Sequence, residues 1–175
     1  QIKRAENTSM ILYSLAYIIK MSKKGSHQIK DYFDFVAPPL EGFWWQDGVK
    51  GIDYAHKERF NFISCIRMPE FVTDEVLAWA KKEAAIKKGL DFSPVKLLVL
   101  TEGKCVQIMH HGSYDDEPAT IAKMHQFIAK NDLGLDFSDQ RRHHEIYLSN
   151  SQRTKLENLK TIIRLPVKEK KMKND

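Results

Sequence analysis

Apolar positions near the start of the chain recur at helical spacing. Ile11, Leu12, Leu15, Ile18 and Ile19 form one stripe across residues 6–21, Tyr13 and Tyr17 form a second, and Gly25 lies past the end. The pattern then changes to period two. Residues 31–37 (DYFDFVA) alternate up to Pro38-Pro39, and residues 59–68 (RFNFISCIRM) alternate up to Pro69, so both predict strands. Between them, Gly42, Gly48 and Gly51 predict a loop over residues 41–51, which also carries Trp44 and Trp45. Thr73 followed by Asp74 and Glu75 predicts a capped helix running to Lys88 and stopped by Gly89. Residues 95–101 and 104–110 flank Glu102-Gly103 and predict a tight hairpin. Pro118 suits the first turn of a helix with Ile121, Met124 and Ile128 on one stripe, ending near Gly134. Residues 142–149 (RHHEIYLS) and 160–165 (KTIIRL) predict two last strands, the second stopping at Pro166.

The predicted order is helix, strand, strand, helix, hairpin, helix, strand, strand. The ending Ile66-Arg67-Met68-Pro69 resembles Ile163-Arg164-Leu165-Pro166, which suggests a duplicated strand–helix–strand–strand unit. Antiparallel sheets with helices on one face give an α+β fold. The expected organisation is a single domain over 1–167. It comprises a first half at about 1–70, a connecting helix and strand at about 71–102, a second half at about 103–167, and a basic tail at 168–175. The first copy lacks the opening strand of the second, which suggests that Gln1 lies inside a longer sequence.

Composition narrows the function classes. The 175 residues carry a net charge of +5, with 42% hydrophobic and 29% charged residues. The excess charge gathers in Val167–Lys173 and on the helix bearing Lys81, Lys82, Lys87 and Lys88, where a solvated tail and a solvated face explain it. Nothing matches a helix-turn-helix, an RNP motif or a zinc finger, so direct nucleic-acid binding is not expected. No run approaches the ~20 apolar residues of a membrane span. Cys65 and Cys105 sit in apolar alternating runs, as buried thiols of a reducing compartment would, and a cytoplasmic location is expected.

Strand 142–149 holds the most distinctive chemistry. Residues two apart share a face, so His143, Glu145 and Tyr147 point together, opposite Arg142, His144, Ile146 and Leu148. If the second set faces the helices, Glu145 faces a concave cleft. Apolar walls would raise its pKa and suit it to accept a ligand's N–H or a cation, or to act as general base toward water. A surface cross-strand ion pair is the plainer reading. Trp44 and Trp45 could wall a cleft against a flat aromatic ligand, or fill the core. Phe33 and Phe35 share a strand face and admit the same two readings. His110-His111, His125 and His143-His144 invite a metal, but HExxH and CxxC spacings are missing, so neither metal nor cofactor is expected. There is also no GxSxG elbow and no glycine-rich phosphate loop.

Three stretches, FDFVAPPLEGFWW (33–45), VQIMHHGSYDDEPATIAKM (106–124) and HHEIYLSNSQRTKLENLKTIIRLP (143–166), resemble the GyrI-like small-molecule-binding family. Glu145, Tyr147, the turn at Ser149-Asn150 and the closing Pro166-Val167 follow its pattern, with Asn150-Ser151 where the family more often has Asp-Pro. The family includes stand-alone proteins and the ligand-sensing halves of multidrug-responsive transcription regulators. The Trp-Trp and HHEIYL features look closest to its cyclopropanoid cyclopropyl hydrolases, which open the strained ring of DNA-alkylating compounds. The resemblance implies a cleft between the sheets that holds a hydrophobic aromatic xenobiotic. It implies Glu145 and Tyr147 as catalytic residues, with Trp44, Trp45, Phe33, Phe35, His110, Tyr114 and His143 around the ligand. A non-catalytic module that sequesters or senses hydrophobic cations is the alternative. The oligomeric state is left open.

Overall fold

The computed structural model describes residues 2–170, and the side chains from Thr8 onward. The part of the expected basic tail at 171–175 lies outside the described residues. Three helices, α1 (Ile2–Met21), α2 (Asp74–Lys88) and α3 (Glu117–Lys130), accompany six strands: β1 (Leu40–Trp45), β2 (Asn61–Ile66), β3 (Cys105–His111), β4 (Leu133–Leu135), β5 (His143–Tyr147) and β6 (Lys160–Glu169). The strands form an open sheet in the order β2-β1-β5-β6-β3, with β4 also paired to β6. The pairings of β6 with β3, β4 and β5 are all antiparallel, so the architecture is α+β.

The described residues form two compact units that interleave in sequence: residues 2–40 with 64–99, and 41–63 with 100–170. In the first, Leu15 and Ile19 of α1 join Leu77, Ala80 and Ala84 of α2, together with Phe71 and Phe92. The expected cap forms at α2: Thr73 Oγ1 accepts from the Val76 N–H, and Gly89 closes the helix in the left-handed region. In the second unit Met124 and Ile128 of α3 pack on Ile163, Leu165 and Val167 of β6 and on Leu133.

Several expectations from the sequence need correction. Residues 31–37 form no strand, and Asp31 opens the segment in the left-handed region. Their alternation serves packing instead, since Tyr32, Phe33 and Phe35 all place their rings against Phe71. The first strand lies further on, at Leu40–Trp45, within the segment expected to be a loop. Residues 95–101 form no hairpin strand; Val99 is 94% exposed. The bend at Glu102–Lys104 is held instead by Arg141, whose guanidinium donates to the carbonyls of Glu102 (2.8 Å) and Lys104 (2.6 Å). Helix α3 stops at Lys130, well before Gly134. The left-handed residue after it is Asp132, a type that tolerates this region, and Gly134 lies in β4.

β6 does not stop at Pro166 but continues to Glu169, drawing Lys168 of the expected tail into the sheet. Proline removes one ladder donor, which a strand tolerates only where that donor is not needed. Pro166 meets this condition: the pairing with β5 ends at His144↔Arg164, that with β4 begins at Leu135↔Val167, and on the β3 side it is the Val167 N–H that donates, to Lys104 O.

Candidate functional site

The facing of β5 also departs from the expected arrangement. Directly opposed residues of an antiparallel pair share a face, and Glu145 opposes Ile163, which packs under α3. Glu145, with His143 and Tyr147, therefore lies on the helix-covered side. His144 and Ile146 oppose Arg164 and Ile162 on the other side, so they do not face α3 as anticipated. Glu145 is buried on that side (7% exposed).

Both oxygens of Glu145 are engaged. Tyr147 donates its hydroxyl to Oε2 (2.7 Å), and His143 Nε2 lies 2.8 Å from Oε1. Trp44 Nε1 in turn donates to the Tyr147 oxygen at 2.9 Å. Burial first, and the adjacent Glu145 charge second, push the Tyr147 hydroxyl well above the ordinary tyrosine range. Tyr147 is therefore a fixed donor at any physiological pH.

Gly42 explains why β1 contains a glycine. A Cβ at this position would stand 2.7 Å from the Tyr147 hydroxyl and 2.8 Å from Trp44 Nε1. Gly42→Ala is expected to break the Trp44–Tyr147–Glu145 chain while the sheet still forms. On the expectation of an aromatic ligand, roughly a tenfold loss of affinity for a flat aromatic dye such as ethidium should follow, the equivalent of about one hydrogen bond. Tryptophan fluorescence titration measures it, and unchanged affinity would show that the chain does not shape binding.

Around this chain stands a second acid. Glu117, 3% exposed, opens α3 just before Pro118. Burial, then the charge of Glu145, raise its carboxyl from 4.5 to about 9, so it is protonated at neutral pH. The Tyr54 hydroxyl is likewise raised by burial and then by Glu117 and Glu145. Among the described residues only three buried side-chain polar atoms lack a hydrogen-bond partner: Tyr54 Oη, Glu117 Oε1 and His143 Nδ1. Tyr54 and Glu117 both feel the charge of Glu145, and His143 touches it. Each such atom costs on the order of 1–3 kcal/mol when left unpaired, which makes the surroundings of Glu145 the candidate site in this unit.

The local scaffold is explicit. Gln46, just after β1, donates to the carbonyls of Asp53 (3.0 Å) and His56 (2.9 Å) and accepts from the Asp53 N–H (2.7 Å), fixing the 3-10 turn that presents Tyr54. His110 places its ring nitrogens against Thr120 Oγ1 (2.8 Å) and Ser113 O (2.9 Å), tying β3 to the turn before α3. With both nitrogens engaged, His110 holds that turn, which carries Tyr114 and leads into Glu117 at the start of α3. The Tyr114 ring meets that of Tyr147 edge-on at 6.1 Å and is partly exposed at the rim. Phe60 and Phe62 flank Trp44 at 5.9 and 5.0 Å.

The aromatic residues expected at the site divide between locations. Trp44 joins Glu145, whereas Trp45 is stacked under the Arg142 guanidinium, 3.5 Å from its ring centre. Phe33 and Phe35 pack on Phe71 in the first unit. His144 is enclosed between Glu102 (2.6 Å) and Glu41 (2.7 Å) and stacks on Phe43. The sequence reading missed Glu117, Tyr54, Phe60 and Phe62. For Glu117 a signal existed: an acid next to an N-terminal helix proline is usually solvated, yet this one follows two exposable aspartates and begins an amphipathic helix.

The first unit contains a hollow of about 870 Å³ lined in part by Tyr13, Tyr17, His27 and Trp79. It has no buried unpartnered polar atom, and its Tyr13 hydroxyl already donates to Pro38 O. The carboxylates of the second unit are therefore the candidate site. Among the described residues, no helix is long and apolar enough to cross a membrane.

A ring-lined, acid-bearing position on an open α+β sheet defines a small-molecule-binding domain. Residues 16–168 match the GyrI-like small molecule binding domain, and the chain belongs to that family. Two crystal structures from Listeria innocua resemble it over 94% of its length. One, described as an uncharacterized conserved protein, shares 46% identity with a TM-score of 0.87 over 80% of its own chain. The other, described as a hydrolase, shares 45% identity with a TM-score of 0.85 over 79% of its chain. No curated protein matches the chain.

Proposed function

We propose that the second unit binds a flat, hydrophobic aromatic xenobiotic against Trp44, Tyr147 and Tyr114, and that it hydrolyses cyclopropanoid alkylating agents there as a protective activity in the cytoplasm. The observation that carries this reading is the buried Glu145 carboxylate, bonded to Tyr147 and His143, within an aromatic surround of Trp44, Phe60, Phe62 and Tyr114. Stacking holds the strained electrophile and keeps it from DNA. Glu145 orients a water and takes its proton as the oxygen attacks the ring carbon. Tyr147 and His143 fix the orientation of the Glu145 carboxylate from both sides. Support from outside the chain comes from the 45%-identical Listeria protein described as a hydrolase.

A second reading has its own support. A buried carboxylate among aromatic rings also suits a hydrophobic cation, through charge and cation–π attraction, with no turnover. Mass spectrometry separates the two. Incubation with a several-fold excess of a spirocyclopropyl dienone should convert more molecules of compound to the water adduct than there are molecules of protein. A ligand recovered unchanged, with tryptophan quenching that saturates at one equivalent, would leave only the binder.

A further inference from the structure

The hollow of the first unit takes no part in the proposed hydrolysis. It is lined by α1 and α2, and α1 carries two apolar faces. Leu15 and Ile19 enter the core with α2, while on the opposite side Met10, Tyr13, Tyr17 and Met21 recur at i, i+3, i+7 and i+11. This second stripe is uncovered: Met10, Tyr17 and Met21 are 47%, 52% and 40% exposed. All four residues line the hollow, together with Trp79 of α2. Large apolar side chains gathered in a concavity, rather than scattered singly, mark a place of interaction. The volume of about 870 Å³ falls within the roughly 300–1,000 Å³ of small-molecule sites.

The polar groups of the lining narrow the class of molecule. Tyr13 donates its hydroxyl to Pro38 O (3.3 Å) and Ser14 to Met10 O (2.7 Å), so neither proton is available to a ligand. The Tyr13 and Tyr17 rings lie 6.4 Å apart, and the His27 imidazole stacks on Trp79 at 4.0 Å and 11°. Such rings offer flat surfaces to another ring system. Of the charged groups in the lining, Glu83 is paired with Lys87 at 3.4 Å, and Lys88 has no ion-pair partner among the described residues. Flat apolar walls and one uncompensated positive charge suit a planar anion.

We propose that this hollow is a second binding site, for a flat aromatic acid whose rings lie against Tyr17 and Trp79 and whose carboxylate meets Lys88. It selects by charge in the opposite sense to the Glu145 region, where a buried acid disfavours an anion. The proposal stands independently of what the Glu145 region binds.

The test uses 2-naphthoate and 2-naphthylmethylammonium, which share a ring system and differ in charge. Trp79 is the only tryptophan of the first unit, so fluorotryptophan labelling gives this unit a single fluorine resonance, assigned with Trp79→Phe. In wild type the acid should shift the Trp79 resonance, saturate at one equivalent and bind about fivefold more tightly than the ammonium at low salt, the preference shrinking as salt screens Lys88. Lys88→Glu should reverse the preference, and Tyr17→Ser should weaken both probes several-fold. Both replaced side chains are exposed, so neither change threatens the fold. A Trp79 resonance unmoved by millimolar acid would overturn the proposal. So would equal binding of the two probes, a preference that survives Lys88→Glu, or a shift confined to Trp44 or Trp45. A Trp79 resonance that moves with protein concentration and not with acid, alongside a dimer in sedimentation, would assign the hollow to a second copy of the chain and also overturn it.

Discussion

On the proposed mechanism, Glu145→Gln is expected to lower turnover of a spirocyclopropyl dienone by about 10²- to 10⁴-fold, the usual worth of a positioned general base. The substitution is nearly isosteric. The amide oxygen can still accept from Tyr147, so the chain from Trp44 through Tyr147 remains closed. What is lost is the capacity to take a proton from water. The fall should therefore appear in kcat, with KM changed by less than about threefold, because stacking on Trp44 and Tyr114 does not depend on that charge. Single-turnover kinetics followed by ultraviolet absorbance checks it. A variant as fast as wild type would remove Glu145 from the chemistry.

The second large effect concerns stability. Folding carries Glu117 from an ordinary carboxyl near 4.5 to one raised to about 9, first by burial and then by the Glu145 charge. Between those values the folded protein holds a proton that the unfolded chain does not. For a carboxyl raised in this way, stability is greatest below the unfolded value. It declines as pH rises through the window, until the folded form also ionises near pH 9. At pH 7 the cost is about 3 kcal/mol, from about 1.4 kcal/mol per pH unit. Glu117→Gln removes the titration and keeps a neutral hydrogen-bonding group of the same shape. It should therefore stabilise the ligand-free protein by up to about that amount at pH 7, and by little near pH 4. Urea unfolding at pH 4, 7 and 8.5 measures the difference. Parallel stability curves for the two proteins would show that Glu117 is not a buried neutral acid. A wild-type residue that costs stability in this way is one commonly retained for function.

Much of the second unit was legible from its residues. Period-two alternation placed His143, Glu145 and Tyr147 on one face, and those side chains do touch. Capping chemistry gave α2 from Thr73 to Gly89. The errors had a common physical origin, which is that local pattern does not say what lies alongside. Residues 31–37 and 95–101 have the alternation of strands without a ladder to join. Gly42, read as a loop signal, is a glycine because Tyr147, over a hundred positions later, approaches its backbone. The same limit hid Glu117 and Tyr54. Their importance comes from burial beside Glu145, and burial beside a distant residue leaves no mark on spacing. It also misassigned Trp45, Phe33 and Phe35, whose aromatic character is plain but whose partners, Arg142 and Phe71, only the fold selects.

The alternation of β5 has an evolutionary corollary. His143, Glu145 and Tyr147 lie on the helix-covered side, whereas His144 is locked among acids on the other. Sliding this strand by a single position against β6 would exchange the two sets wholesale, turning His144 and Ile146 to the helix-covered side. Point changes along β5 can retune the protein by degrees. Loss or gain of one codon within it has no intermediate outcome, so relatives that keep this constellation should differ here by replacement and never by length.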